Sequence, residues 1–262
     1  YWMSGPNKEL FDVNFKDWRS DPGQLYKIDK IPNPVLRATH RQSKKRLLAY
    51  ANSQLSKALD VNTLTIGFAR RAATYKRAQL IFKDVDRLID IGKGKIQIIF
   101  SGKAHPKDEG GKSLIKNIIK SSKYFTGHIK IIYLENYNMW LGRLITSGVD
   151  VWLNTPLRPN EASGTSGMKA SLNGVPNLSV LDGWWSEGCI DGVNGWAVGN
   201  PNEISDESDA DHLYDLIENN VIPSYYGDKD DWSTMMKESI KTGISYTSHR
   251  MVTDYNNQYY KL

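Results

Sequence analysis

A doubly wound α/β fold, one parallel sheet covered by helices on both faces, is what this sequence predicts. Short, almost wholly apolar runs recur between residues 64 and 181, and longer amphipathic stretches separate them. The apolar runs lack the in-out alternation of half-exposed strands, so they read as strands buried on both faces. The stretches between them are long enough for a crossover helix, which a parallel sheet requires.

Taken in order, residues 1–34 are rich in Pro, Gly, Trp and polar side chains and read as an irregular leading segment. Asn33-Pro34 then opens an amphipathic helix through residue 59, with Val35, Leu36, Leu47, Leu48, Leu55 and Leu59 among basic and polar neighbours. Residues 1–60 are accordingly set apart from an α/β domain over 61–262. Strands are expected at 64–69, 95–100, 129–134, 151–153 and 178–181, and helices at 73–91, 111–122 and 139–146. After Trp185 the composition turns acidic and aromatic. Helices are expected there at 206–219 and 230–242, and Tyr255, Tyr259 and Tyr260 read as the packing face of a terminal helix.

Composition narrows the function. With 262 residues, 40% of them hydrophobic, the chain can bury a substantial core, and disorder is not expected. A net charge of +5 raises the question of nucleic acid, but the cations are dispersed and no DNA or RNA recognition motif is present. Cys189 is the only cysteine, which excludes an internal disulfide and a cysteine zinc cluster. His40, His105, His128, His212 and His249 are too scattered for a metal spacing, so no metal is expected. No apolar run approaches the roughly 20 residues of a membrane span, and no signal peptide is visible, so the expected location is cytoplasmic without membrane contact.

The chemistry concentrates in Asn160-Glu161-Ala162-Ser163-Gly164-Thr165-Ser166-Gly167-Met168-Lys169, followed by Asn173-Gly174. It follows the strand expected at 151–153 and precedes a helix expected from Gly167, so it opens at the ligand-binding edge of the sheet. Free N–H groups of Gly164, Thr165, Ser166 and Gly167 can then face one anion, helped by the positive end of the helix. Lys169, placed in or near the first turn, would feel that positive end and lose some preference for its charged form. A neutral amine is what Schiff-base formation requires.

Glu-Ala-Ser-Gly-Thr-x-x-Met-Lys-x-x-x-Asn-Gly, at residues 161–174, resembles the cofactor-lysine segment of the α-glucan (glycogen, starch or maltodextrin) phosphorylases. Arg70-Arg71-Ala72-Ala73-Thr74-Tyr75-Lys76-Arg77 resembles the same family's substrate-phosphate motif, and residues 100–106 and 134–137 are similar to family segments in the family's order. The resemblance implies a Rossmann-like domain, the C-terminal half of a two-domain glycosyltransferase architecture whose active site lies in the cleft. It implies pyridoxal 5'-phosphate on Lys169, with Thr165, Ser166, Gly167, Arg70 and Tyr137 around it. Arg71 and Lys76 would hold inorganic phosphate, and Glu161, Ala162, Ser163 and Gly164 would meet the transferred glucose; Lys169, Arg71 and Lys76 are thus the expected catalytic set. Two positions depart from the pattern: Arg70 stands where many members carry lysine, and Asn138 where some carry arginine.

The implied reaction is phosphorolysis of an α-1,4-glucan to glucose 1-phosphate with retained configuration. Partners would be the glucan, inorganic phosphate and an N-terminal domain outside these residues; a homo-oligomer is compatible with the sequence but not indicated by it. In a helix of 3.6 residues per turn Arg71 and Lys76 would diverge by about 140°, so they converge only if Arg71 precedes the helix. Three other readings stay open: a nucleotide-sugar glycosyltransferase without pyridoxal, a retaining glycosidase using Glu161 and Asp182, and a non-catalytic module binding anions or glucan.

Overall fold

The computed structural model describes residues 2–54, 59–200 and 202–260. Its elements are α1 (Gly5–Asn14), α2 (Asn33–Gln54), β1 (Leu64–Ala69), α3 (Val85–Gly92), β2 (Ile96–Ser101), α4 (Glu109–Ser121), β3 (Lys130–Leu134), α5 (Met139–Gly148), β4 (Val151–Asn154), α6 (Thr165–Leu172), β5 (Asn177–Val180), α7 (Trp185–Gly188), β6 (Gly195–Val198), α8 (Asp206–Leu216), α9 (Ile222–Tyr226), α10 (Lys229–Ile244) and α11 (Ser248–Tyr255). The strands lie in the order β3-β2-β1-β4-β5-β6, and every pairing is parallel. The order reverses between β1 and β4. Loops leaving strands on either side of such a switch point part to opposite faces and open a crevice at the carboxyl ends.

The apolar runs are explained by what each face covers. Ile98 belongs to one core and its neighbour Ile99 to the other. Likewise Val151 and Leu153 enter the first core, while Trp152 between them enters the second. Successive side chains of a strand point to opposite faces, so a strand covered on both sides carries no polar alternation. Leu47, Leu48 and Ala51 of α2 join Leu141 and Ile145 of α5 in the second core. Leu55, expected on the same helix face, lies outside the described residues.

Four expectations need correction. Residues 73–91 are not one helix but two single 3-10 turns, Thr74–Lys76 and Leu80–Phe82, followed by α3. Arg77 breaks the run: it adopts φ +45°, in the left-handed region, and its buried guanidinium is tied elsewhere. It donates to the carbonyls of Thr155 and Pro156 and pairs with Asp206 and Asp209. Next, the leading segment is ordered. Ser4 caps α1 by accepting from the Asn7 amide, and Phe11, Phe15, Leu25 and Ile28 enter the same core as Ile66 and Leu178.

A sixth strand, β6, was missed; it is a short edge strand pairing only with β5 among the described strands. Finally, α11 buries none of its side chains, and Tyr259 and Tyr260 are 71% and 66% exposed. The packing expected of the late tyrosines is not made within the described residues.

Candidate active site

The switch point brings two loops together. Beyond β1 the Arg70 amide bonds to the Ser101 carbonyl, extending the ladder by one residue and holding Arg70 at the sheet's carboxyl edge. Beyond β4, the Leu157 amide bonds to the Tyr75 carbonyl at 2.7 Å, tying the second loop to the first. Between them Arg70, Lys76 and Glu161 form a compact cluster, each less than a tenth exposed. Glu161 Oε2 accepts from Arg70 Nη2 at 2.7 Å and from Lys76 Nζ at 2.5 Å. The other Arg70 amino group donates to the Asn154 side-chain carbonyl.

Electrostatics follow from that geometry. Burial alone would raise the Glu161 carboxyl, but Lys76 and Arg70 hold it below the usual carboxylate range. The Tyr75 hydroxyl is drawn below its ordinary range by hydrogen bonding to Lys76 first and to Arg71 as well. Arg71 itself is exposed. It and Lys76 therefore meet on Tyr75, with Arg71 ahead of the 3-10 turn rather than on a helix.

The loop carrying Glu161 is held from beneath. The Glu161 amide donates to Asp182 Oδ2 at 2.9 Å, and the Trp184 amide to the Ser163 carbonyl at 2.9 Å. Gly183 permits this contact: a β-carbon there would lie 2.4 Å from the Ser163 carbonyl oxygen, and its φ is +57°. Gly164, at φ +91°, is the N-cap of α6, and no side chain caps that helix. Its first-turn amides, from Thr165, Ser166 and Gly167, are thus left for an anion. Thr165, Ala162 and Ser163 are exposed, while Gly167 is buried with Trp184 Nε1 only 2.7 Å from where a β-carbon would stand.

Lys169 lines a cavity of about 300 Å³ together with Ser166, Tyr137, Asn138, Arg143 and Trp2. Its amine is half-buried and lies 5.3 Å from the Trp2 ring centroid. The amine is shifted below the ordinary lysine range, as expected from the sequence, but the cause is different. Lys169 stands in the last turn of α6, and burial produces the shift. Tyr137 lines the same cavity: burial pushes its hydroxyl up, and Arg70 of the cation cluster is near enough to pull it partly back. Asn138 turns away to cap α5, accepting from the Leu141 amide.

Trp2 and Asn173 were not anticipated as site residues. The Asn173 side chain accepts from the Ser4 amide at 2.8 Å and donates to the carbonyls of Trp2 and Lys169. It thereby seats the leading segment across the end of α6. Asn173-Gly174 looked like an ordinary helix stop, and nothing local pairs it with residue 4.

A match to the family model described as carbohydrate phosphorylase runs over residues 2–187, from the Trp2 roof through both loops to the Asp182 support. The chain belongs to the carbohydrate phosphorylase family. The chain is 43% identical to the maltodextrin phosphorylase of Thermococcus litoralis, in an alignment covering 99% of the chain and 34% of that relative. It is 40% identical to the glycogen phosphorylase of Aquifex aeolicus, covering 99% of the chain and 42% of the relative. The glycogen phosphorylase of Mycobacterium tuberculosis is 43% identical over 79% of the chain and 25% of its own length. The phosphorylase chain thus spans less than half of the relatives it matches. Among the described residues no helix is long and apolar enough to cross a membrane, and no group of three or more His, Cys, Asp or Glu is arranged to hold a metal.

Proposed function

We propose that this chain is the cofactor- and phosphate-binding part of an α-glucan phosphorylase, which cleaves an α-1,4-glucan with inorganic phosphate to give glucose 1-phosphate with retained configuration. The observation that carries the reading is a half-buried lysine amine in a cavity that Tyr137 also lines, with Arg70 of the buried cation cluster close enough to act on that tyrosine.

Pyridoxal 5'-phosphate fits the Lys169 cavity. Its volume of about 300 Å³ suits a single ring, Trp2 supplies an apolar wall, and burial favours the neutral amine. The uncapped amides of Thr165, Ser166 and Gly167 fit a phosphate group, with Arg70 and Tyr137 nearby. When bound, the cofactor supplies a phosphate that exchanges a proton with the substrate phosphate.

The chain's own groups do the rest. Lys169 holds the cofactor. Arg71 and Lys76 gather inorganic phosphate and stabilise the negative charge that grows on it as the glycosidic bond breaks. Glu161, Ala162, Ser163 and Gly164 orient the sugar through a loop that Asp182 and Gly183 keep rigid. The acceptor side of the cleft comes from an N-terminal domain outside these residues.

The hydrolase reading is disfavoured by the state of Glu161. Glu161 is lowered by two cations and is unsuited to be the acid, which would leave that role to Asp182, whose Oδ2 is occupied by the Glu161 amide. A sugar-nucleotide transferase would use the same cations but leave Lys169 unmodified. Borohydride reduction after incubation with pyridoxal phosphate, followed by peptide mass mapping, separates them. A pyridoxyl adduct on Lys169, absent from Lys169→Ala, is expected; an adduct-free Lys169 overturns the cofactor assignment.

A further inference from the structure

Glu161 bridges a pair of buried cations. Its carboxylate takes one hydrogen bond from each of two buried cations, Arg70 and Lys76, while Arg71 reaches the same cluster through Tyr75. Two cations contact a single carboxylate and a third lies one side chain away on Tyr75, so the seat carries surplus positive charge. A phosphate entering it would lie within a few ångströms of Glu161, and two like charges that close in a partly buried site repel. Carboxylate and phosphate therefore exclude one another.

The side chain has somewhere to go. Its backbone is fixed by the bond from the Glu161 amide to Asp182, and the next two residues, Ala162 and Ser163, are exposed, so the loop opens to solvent beside the carboxylate. That is the side on which the proposed sugar hydroxyls lie. We infer that Glu161 is the resident counter-anion of the phosphate seat: inorganic phosphate gathered by Arg71 and Lys76 displaces its carboxylate from Lys76, and the released carboxylate accepts hydrogen bonds from the sugar.

The inference rests on the phosphate-and-sugar reading of this loop but not on pyridoxal phosphate. One residue then serves two ligands in turn. By linkage each ligand must tighten the other, because each stabilises the Glu161 position that the other needs.

Isothermal titration of the chain with inorganic phosphate at fixed ionic strength, with and without glucose, tests this. Glu161→Gln is expected to bind phosphate at least about five-fold more tightly than the unsubstituted chain, because the amide no longer competes; that corresponds to roughly 1 kcal/mol. Glucose should tighten phosphate binding in the unsubstituted chain and leave Glu161→Gln unaffected. Glu161→Asp, which keeps the charge on a shorter arm, should fall between the two; if Glu161→Gln does not fold, tighter phosphate binding by Glu161→Asp is the deciding result. Equal or weaker phosphate binding by the substituted chains overturns the inference while leaving the phosphate seat intact. Absence of phosphate binding in every form overturns the seat itself, and with it the phosphorolytic reading.

Discussion

The ring of Trp2 lies 5.3 Å from the Nζ of Lys169, and Asn173 puts it there. Three contacts from the leading segment converge on that one side chain: the Ser4 amide, the Asn7 amide group and the Trp2 carbonyl. Asn173→Ala leaves buried polar groups unsatisfied, each costing about 1–3 kcal/mol before relaxation, and urea denaturation should show a net loss of about 2–3 kcal/mol. Trp2→Ala keeps those backbone bonds and removes only the roof. Its pyridoxal phosphate affinity, followed by absorbance titration, should drop several-fold; an unchanged value would mean the indole is not part of the site.

At the other end of the sheet, Asp150 accepts from Lys44, from His40 Nε2 at 3.1 Å and from the Thr65 amide at 2.8 Å. Burial alone would raise this carboxyl, but Lys44 and His40 hold it below its ordinary value. A lowered carboxyl contributes stability that is present above the unfolded pKa of about 3.9 and disappears as pH falls through the lower folded value. Unfolding free energy should accordingly begin to drop as pH passes below about 5 and fall steeply under about 4. Asp150→Asn should flatten part of that decline and cost about 3–5 kcal/mol at neutral pH, the usual penalty for stranding a buried charge.

Arg77 fans its guanidinium across the Thr155 and Pro156 carbonyls and the carboxylates of Asp206 and Asp209. Arg77→Ala leaves Asp209, which is fully buried, with Arg158 at 3.8 Å as its remaining cation. A destabilisation of about 3–5 kcal/mol is expected. Arg77→Lys should recover little, since a point charge cannot reach acceptors spread around a planar fork. Recovery to within about 1 kcal/mol by lysine, measured by thermal denaturation, would show that charge alone suffices.

Removing residues 248–262 should alter the unfolding free energy by less than about 0.5 kcal/mol, because α11 contributes no buried side chain. Its Met251, Val252 and Tyr255 are exposed along with Tyr259 and Tyr260. A larger loss in calorimetry would mean that this helix packs on the domain in solution.

The sheet was legible because strands buried on both faces announce themselves as apolar runs; β6 escaped because its four residues begin with a glycine and pair along one edge. Helix content was overread where tertiary contacts override local preference. Nothing in the composition of residues 73–91 signals that Arg77 will leave helical geometry to serve acceptors 78 to 132 residues away. The lysine loop could be recognised because glycine, small residues and a lysine follow one another along the chain. The partnership of Arg70, Lys76 and Glu161 was hidden, since cations and carboxylate lie on different strands' loops and meet only when β1 and β4 become neighbours.

The seating of Ser4 on Asn173 spans 169 positions. During translation the roof therefore leaves the ribosome long before its anchor exists, and must wait unpaired while β1 to β4 are made. Closing the lysine chamber is consequently a late event in the folding of these residues, in which a segment made earlier docks onto one made later.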